Sequence, residues 1–365
     1  MIPPGKHSDE KETEVIDGVS VILLSFNGQQ YLTKKIDFLR RELSGFDKHE
    51  LIIIDDRSED GSIEVLQGFL AADGLRVLVN DRQSGIPYSM NRGVAEARYA
   101  IIVFCDQRQE LSSGILQKIV EPLQFEAIGA VSACISSFGK ERRCSSIRRH
   151  ENTLKRLESN MGNLMGVYGP LYALKKQCYS PIPNHIILDD LYLSLLILKS
   201  KQIILREDCF IIDDDFSILY DYKRIKRYLA GFLQILKERQ LLGGLSNRQR
   251  IMLIWHKYIR LLIPLLLFLC YIASGFMAIG SNVFLILFGI VSFVGLLSLL
   301  TFRFDFPVYP KNLIRMNIFY VIGSMEVFID KAFRSNQTMN GKTGEAFVAK
   351  KPHAAITVDK HDNFS

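Results

Sequence analysis

Apolar runs and amphipathic stretches alternate along the first hundred residues. VSVILLSFN (Val19 to Asn27), LIIIDD (Leu51 to Asp56), LRVLVN (Leu75 to Asn80) and YAIIVFCD (Tyr99 to Asp106) are dominated by apolar residues. Continuous runs of this kind suit strands buried on both faces. Between them, about Gln30 to Leu43, Ser62 to Ala72 and Pro87 to Ala97 place apolar residues at helical spacing. The alternation predicts an α/β fold, a parallel sheet with helices on both faces, whose ligands bind at the carboxyl ends of the strands. Asp55, Asp56 and Asp106 fall at such ends, so three carboxylates from two strands are expected to converge on one crevice. Turn formation is the competing account of DDRSEDGS, because Asp, Ser and Gly satisfy local backbone groups.

The pattern changes further along. Between Arg260 and Arg303 no charged residue occurs, about twice the roughly 20 residues that cross a bilayer once. Two transmembrane helices are expected, Leu261 to Ile279 and Val283 to Phe302, with Gly280, Ser281 and Asn282 as the turn. Both outer flanks carry Lys or Arg and the turn carries none, so the flanks are placed in the cytoplasm. Met316 to Ile329 is shorter and holds Glu326, which suits an interfacial or re-entrant segment. The first eighteen residues are too charged for the apolar core of a signal peptide. The expectation is a multi-pass protein of the plasma membrane with its α/β domain in the cytoplasm.

Charge sharpens this reading. The formal charge is +6, and from Lys223 to Arg260 ten basic residues face one acid, Glu238. The adjoining apolar run assigns this excess to a membrane surface and not to nucleic acid. Six cysteines are scattered without a CxxC pair, so neither a zinc site nor a disulfide framework is indicated. SFNGQQ, after the first strand, lacks the glycines of a dinucleotide or P-loop fingerprint. A nucleotide can still bind if an Asp accepts hydrogen bonds from base or ribose and a metal neutralises the diphosphate. The chain is read as a tail (1–18), an α/β domain (19–234), a basic amphipathic linker (235–260), two spans (261–302), an interfacial or re-entrant segment (303–330) and a polar tail (331–365).

VSVILLSFNG, IIIDDRSEDGS, MNRGVAEARYAIIVFCDQRQ, GPLYAL, ILDD and RIKRYLAGFLQ follow one another in an order and spacing that resembles family 2 glycosyltransferases. These are inverting enzymes of GT-A fold, among them hyaluronan, cellulose and chitin synthases. The resemblance runs from Val19 to Gln234 and is nearest to bacterial membrane-anchored members that build polysaccharides. It implies that Asp56 reads the base of a nucleotide-sugar, with Asp55 as structural or ribose partner. It implies that Asp106 holds a divalent metal, Mg or Mn, on the donor diphosphate. Where the family has a second metal-site acid this chain has Arg108, a residue able to contact phosphate directly. Ile86 stands where many relatives carry Lys; Arg82 or Arg92 is the replacement considered, with a solvated surface charge the expectation for Arg92. Asp190 matches the general base that deprotonates the acceptor hydroxyl, and Asp189 orients it or the acceptor; an acidic start to a helix is the competing account. Gly169 and Tyr172 of GPLYAL correspond to the acceptor site. Arg224 and Arg227 stand where a basic element covers the diphosphate, although its Gln and Trp are absent here, and membrane-facing charge competes.

The implied function is transfer of a sugar from a nucleotide-sugar, UDP-linked by expectation, to a lipid-linked or polysaccharide acceptor at the cytoplasmic membrane face. Two spans are few for an export channel, so synthase or export partners are expected for secretion. Two alternatives stand beside it, a polyprenyl-phosphate glycosyltransferase and a catalytically inactive membrane subunit of a glycan synthase.

Overall fold

The computed structural model describes residues 14–70, 73–135, 146–161, 164–212, 218–255, 260–286, 288–290 and 292, with 146–150, 218–225, 239 and 260–268 given by backbone alone. The expected re-entrant segment, most of both tails and part of the second expected span lie outside these residues. The described residues fall into two compact units, one holding those up to Asp215 with Gln240–Leu245, the other holding Phe216–Arg239 and those within Ser246–Gly344.

The first unit is built on one sheet. Its elements are β1 (Val19–Ser25), α1 (Gln29–Leu43), β2 (His49–Asp55), α2 (Ser62–Gln67), β3 (Leu75–Val79), α3 (Ile86–Glu96), β4 (Ile101–Asp106), β5 (Glu110–Leu111), α4 (Ile115–Val120), β6 (Ile128–Ile135), α5 (Ser146–Asn160), β7 (Leu171–Lys175), α6 (Asp189–Ile197) and β8 (Gln202–Ile212). The strand order is β3-β2-β1-β4-β7-β6-β8-β5. β3, β2, β1 and β4 run parallel, as the alternation predicts. β7 then enters antiparallel between β4 and β6, and β8 lies parallel to β6. The sheet is therefore mixed. β4 reaches β7 through β5, α4, β6 and α5, and a strand that returns after such a detour is not bound to the parallel direction that a single crossover helix imposes.

Ile22, Leu23, Ile52, Ile53, Ile54, Ile102 and Val103 are fully buried, so the continuous apolar runs of β1, β2 and β4 find packing on both faces. α1 buries Leu32, Ile36, Leu39 and Leu43, one stripe at helical spacing, each contributing about 1.5–3 kcal/mol by leaving water. α2 stops at Gln67 before Gly68, short of the expected Ala72, because glycine is a poor helix former. Register fixes the site. Asp55 lies opposite Ser25 of β1 and Asp106 opposite Leu24, so the ends of β2 and β4 flank β1 one residue apart.

The second unit contains α7 (Ile218–Ile235), α9 (Asn247–Leu253) and α10 (Arg260–Ala278), with α8 (Arg239–Gly243) at the boundary in sequence. Among the described residues no helix is long and apolar enough to cross a membrane. α10 coincides with the first expected span, and the helical residues 282–286 and 288–290 fall in or beside the second. Tyr271 stacks on Phe288 with centroids 4.9 Å apart, and its hydroxyl lies 2.8 Å from Ser292 Oγ.

Candidate active site

The loops after β1 and β2 are laced together. Asn27 N donates to Ser58 Oγ (2.9 Å), Glu59 N to Asn27 Oδ1 (2.9 Å) and Gly28 N to Ser62 Oγ (3.1 Å). Asn27 and Arg57 take φ of +45° and +63°, a left-handed conformation that Asn tolerates but that costs a residue such as Arg about 1–2 kcal/mol. The lacing holds it. Asp55, fully buried, accepts from Ser25 Oγ (3.1 Å), Ser58 N (2.8 Å) and Ser58 Oγ (2.6 Å). It is a staple for this corner.

Asp56 organises a second loop. Its Oδ1 accepts from Asn80 Nδ2 and Ser84 N, both at 2.8 Å, and its Oδ2 accepts from Gly85 N at 2.8 Å. Gly85 has φ of +86°, which presents its N–H to the carboxylate at no Cβ cost. Asn80 also donates to Ser89 Oγ (2.9 Å) and accepts from Arg92 Nη1 (2.8 Å), which donates in addition to Val79 O (2.7 Å). Arg92 is thus half-buried and braces the end of β3, contrary to the expectation of a solvated charge. Asp56 Oδ2 keeps acceptor capacity, since a carboxylate oxygen takes more than one donor.

Asp106 closes β4 half-buried, and its N–H donates to Pro170 O at 3.0 Å. Along DQRQ the burial alternates: Gln107 and Gln109 are buried, Arg108 exposed. Gln107 Nε2 donates to Phe26 O (2.7 Å), and the buried Lys35 donates through Nζ to Gln109 O. The glutamines and Lys35 fix the backbone from behind while Asp106 and Arg108 remain on the accessible side.

Asp189 and Asp190 form the first turn of α6, with Leu188 as N-cap and no side-chain cap. Asp190 Oδ1 accepts from Leu191 N (2.7 Å), and Oδ2 lies 3.7 Å from where a Cβ on Gly169 would stand. The absence of a side chain at Gly169 therefore opens space directly over Asp190 Oδ2.

The segment leading to Gly169 is buried but irregular, and its polar groups are met by side chains from several elements. Met165 N donates to Glu158 Oε2 (3.2 Å), Val167 N to Ser194 Oγ (3.1 Å) and Tyr168 N to Ser132 Oγ (2.8 Å). Lys155 Nζ donates to Gly166 O and lies 4.0 Å from the centroid of the Tyr168 ring. Ser194 Oγ donates onward to Asp190 O at 2.6 Å. Sequence reasoning missed Ser132, Lys155, Glu158 and Ser194. Lys155 and Glu158 sit in a charged helix that reads as solvated, yet they are 2 % and 5 % exposed.

Tyr172 is placed differently from its expected position in the acceptor site. It is 2 % exposed and pairs across the sheet with Phe104, ring centroids 5.2 Å apart. Its hydroxyl has no partner among the described residues. Burial pushes the phenol well above its ordinary pKa, and Asp189, Asp190 and Asp106 add to the shift, so one ring lies in the field of three site carboxylates. Tyr179, raised by burial and then by Asp189, donates to Asn91 Oδ1 at 2.7 Å. Arg224 and Arg227 lie on α7 in the second unit. Arg224's side chain is outside the description, and Arg227 is exposed. Among the described residues no group of three or more His, Cys, Asp or Glu could hold a metal ion. A hollow of about 480 Å³ lined by Arg40, Arg41, His49 and Asp73 opens at the start of β2, the end of the strand away from the carboxylates.

The mixed sheet, with Asp55 and Asp106 at the ends of β2 and β4, has a GT-A-like fold. Residues 20–178 match the family model described as Glycosyl transferase family 2. Glycosyltransferase AglE of Haloferax volcanii is 30 % identical over 95 residues, 26 % of this chain and 31 % of that protein. The uncharacterized glycosyltransferase EpsJ of Bacillus subtilis is 25 % identical over 126 residues, 34 % of this chain and 36 % of that protein. The chain thus spans about a third of the length of these curated relatives. A mannosyltransferase from Pyrobaculum calidifontis, solved with GDP-Man and Mn2+, superposes with a TM-score of 0.70 over 86 % of this chain and 87 % of its own, at 18 % identity. That likeness shows the fold.

Proposed function

We propose that this protein is an inverting glycosyltransferase that moves a sugar from a UDP-sugar to a lipid-linked or polysaccharide acceptor at the cytoplasmic face of the plasma membrane. The observation that carries the reading is the convergence of Asp56, Asp106 and Asp190. β2 and β4 bring the first two to either side of β1, the Asp106 N–H to Pro170 O bond ties the end of β4 to the GPLYAL turn, and Gly169 of that turn lies over Asp190 Oδ2.

In this reading Asp56 accepts from the donor base through the remaining capacity of Oδ2, with Asp55 holding its loop. Asp106 and Arg108 meet the diphosphate. The acceptor hydroxyl enters over Gly169. Asp190 Oδ2 takes its proton as the acceptor oxygen bonds to the anomeric carbon from the face opposite the nucleotide, the bond from that carbon to the diphosphate breaks, and UDP leaves with the electron pair. Asp189 orients the acceptor. The donor set fits a divalent cation that arrives with the nucleotide: Asp106 offers one hard oxygen, and Mg or Mn takes the rest of its shell from phosphate and water. Such a cation would neutralise the leaving diphosphate.

The uncharged run between Arg260 and Arg303, flanked by basic residues, supports membrane anchoring, with a synthase or export partner for secretion. The experiment is a donor and acceptor screen on the purified full chain. Nucleotide release from UDP-sugars and GDP-sugars is read with saccharide or polyprenyl phosphate, with and without Mn2+. Release from a UDP-sugar that needs a saccharide acceptor is the expected result. Release that needs polyprenyl phosphate reassigns the acceptor, and no release from any donor makes the chain a binding subunit.

A further inference from the structure

Surface helices of globular proteins bury an apolar stripe and expose polar residues. The short helix before the uncharged run inverts this arrangement on its outer side. Ser246 caps α9 in a capping box with Gln249, Gln249 N donating to Ser246 Oγ (3.3 Å) and Ser246 N to Gln249 Oε1 (2.8 Å). Gln249 and Leu253 are buried at 8 % and 2 %, which fixes the inner face. On the outer face Ile251, Ile254 and Trp255 are 57 %, 50 % and 68 % exposed, and Arg248 and Arg250 are exposed with them. Ile251 in α9 and Ile254 and Trp255 just past its end are three and four residues apart, the spacing of neighbours on a helical surface, with Arg248 and Arg250 in the preceding turn.

We infer that this face is a docking surface for the anionic headgroup layer of a lipid bilayer, with Ile251, Ile254 and Trp255 seated among the upper acyl chains and Arg248 and Arg250 on lipid phosphates. Each residue type suits that layer. Tryptophan prefers the membrane–water boundary, arginine places its stem on apolar surface while its guanidinium reaches phosphate, and basic residues beside a bilayer are drawn to acidic lipids. Nucleic acid would use the arginines but leave the apolar centre without a partner. The same unit also holds α10 and helical residues 282–286 and 288–290, where Leu269, Phe276, Met277, Val283 and Ile286 are 52–72 % exposed, further apolar surface of the kind a bilayer covers. The inference extends the membrane reading above from anchoring to lipid selection, and the two fail separately.

Trp255 is the chain's one tryptophan, so its fluorescence reports this face without labelling. The full chain is reconstituted into vesicles of phosphatidylcholine alone or with phosphatidylglycerol, and quenching is measured with lipids brominated near the headgroup or near the bilayer centre. The expected result is a blue-shifted emission, quenched more by the shallow bromines, with shift and quenching increased by phosphatidylglycerol. Arg248→Glu with Arg250→Glu should abolish the increase, and Ile251→Glu should lose the shift. Emission that stays water-like in vesicles that hold the chain against alkaline extraction overturns the inference while leaving anchoring intact. Should the chain be extracted, a blue shift with co-flotation on added phosphatidylglycerol vesicles still supports the inference. A shift that grows with protein concentration in the absence of lipid overturns it in favour of a second copy of the chain.

Discussion

The proposed mechanism makes Asp190 the general base. Leu191 N donates to Oδ1 and Oδ2 lies beside Gly169, so in the proposed mechanism Oδ2 takes the acceptor's proton. Asp190→Asn keeps the size and helix position but not the basicity. Turnover should fall about 10²-fold or more, the scale for losing a positioned base, with UDP binding by calorimetry unchanged. Near-normal turnover would return Asp190 to a purely local role at the start of α6. Asp106 makes a second test. Because no three-ligand cluster exists among the described residues, Mn2+ should show no calorimetric binding until UDP is added, and Asp106→Asn should weaken the nucleotide-dependent binding. Tyr172 makes a third. A buried hydroxyl without a partner costs about 1–3 kcal/mol, so Tyr172→Phe should leave the melting temperature unchanged or raise it. A clear loss of stability would reveal a bound water in place of the orphan.

The elements differ in how far the chain announces them. β1, β2 and β4 were legible because residues buried on both faces leave an uninterrupted apolar run, and the acids at their ends stand out against it. The antiparallel entry of β7 was not, since strand direction depends on the route between strands and leaves no local mark on LYALK. Nor was the support of the GPLYAL turn. Ser132 and Ser194 are small polar residues inside an otherwise apolar strand and helix, and only the fold shows that they receive Tyr168 N and Val167 N. Ser194 joins two parts of the site, accepting from the segment that ends in Gly169 and donating to Asp190 O. Ser194→Ala leaves a buried N–H unpaired, for about 1–3 kcal/mol of stability in denaturant titration. It should also lower kcat with little change in donor KM, because the acceptor platform shifts against the base. Full kcat in a destabilised protein would make Ser194 structural only.

At the scale of the whole molecule the proposed membrane anchoring carries a topology that can be tested. The residues from Leu261 to Phe302 carry no charge, and Gly280, Ser281 and Asn282 are the turn expected among them. Within the described part Tyr271 and Phe288 stack on either side of that turn, the contact that two helices returning on each other would make. A hairpin that crosses and returns leaves both basic flanks on one side, and the positive-inside rule makes that side the cytoplasm. In the proposed topology Ser281 faces outward, while Ser112, which accepts from Phe210 N (3.1 Å) near the junction of β5 and α4, stays inside. A cysteine in place of Ser281 should react with an impermeant maleimide on intact cells, and one in place of Ser112 only after lysis. Cys105, Cys134 and Cys209 add little background, because they are buried and held above the ordinary thiol pKa by that burial, which suppresses the thiolate that reacts; Cys144, Cys178 and the exposed Cys270 are replaced by serine beforehand. Labelling at position 112 but not 281 would invert the topology and separate the carboxylate crevice from cytoplasmic donors. Labelling at neither site in intact cells and at both after lysis would replace the crossing hairpin with one that dips into the inner leaflet.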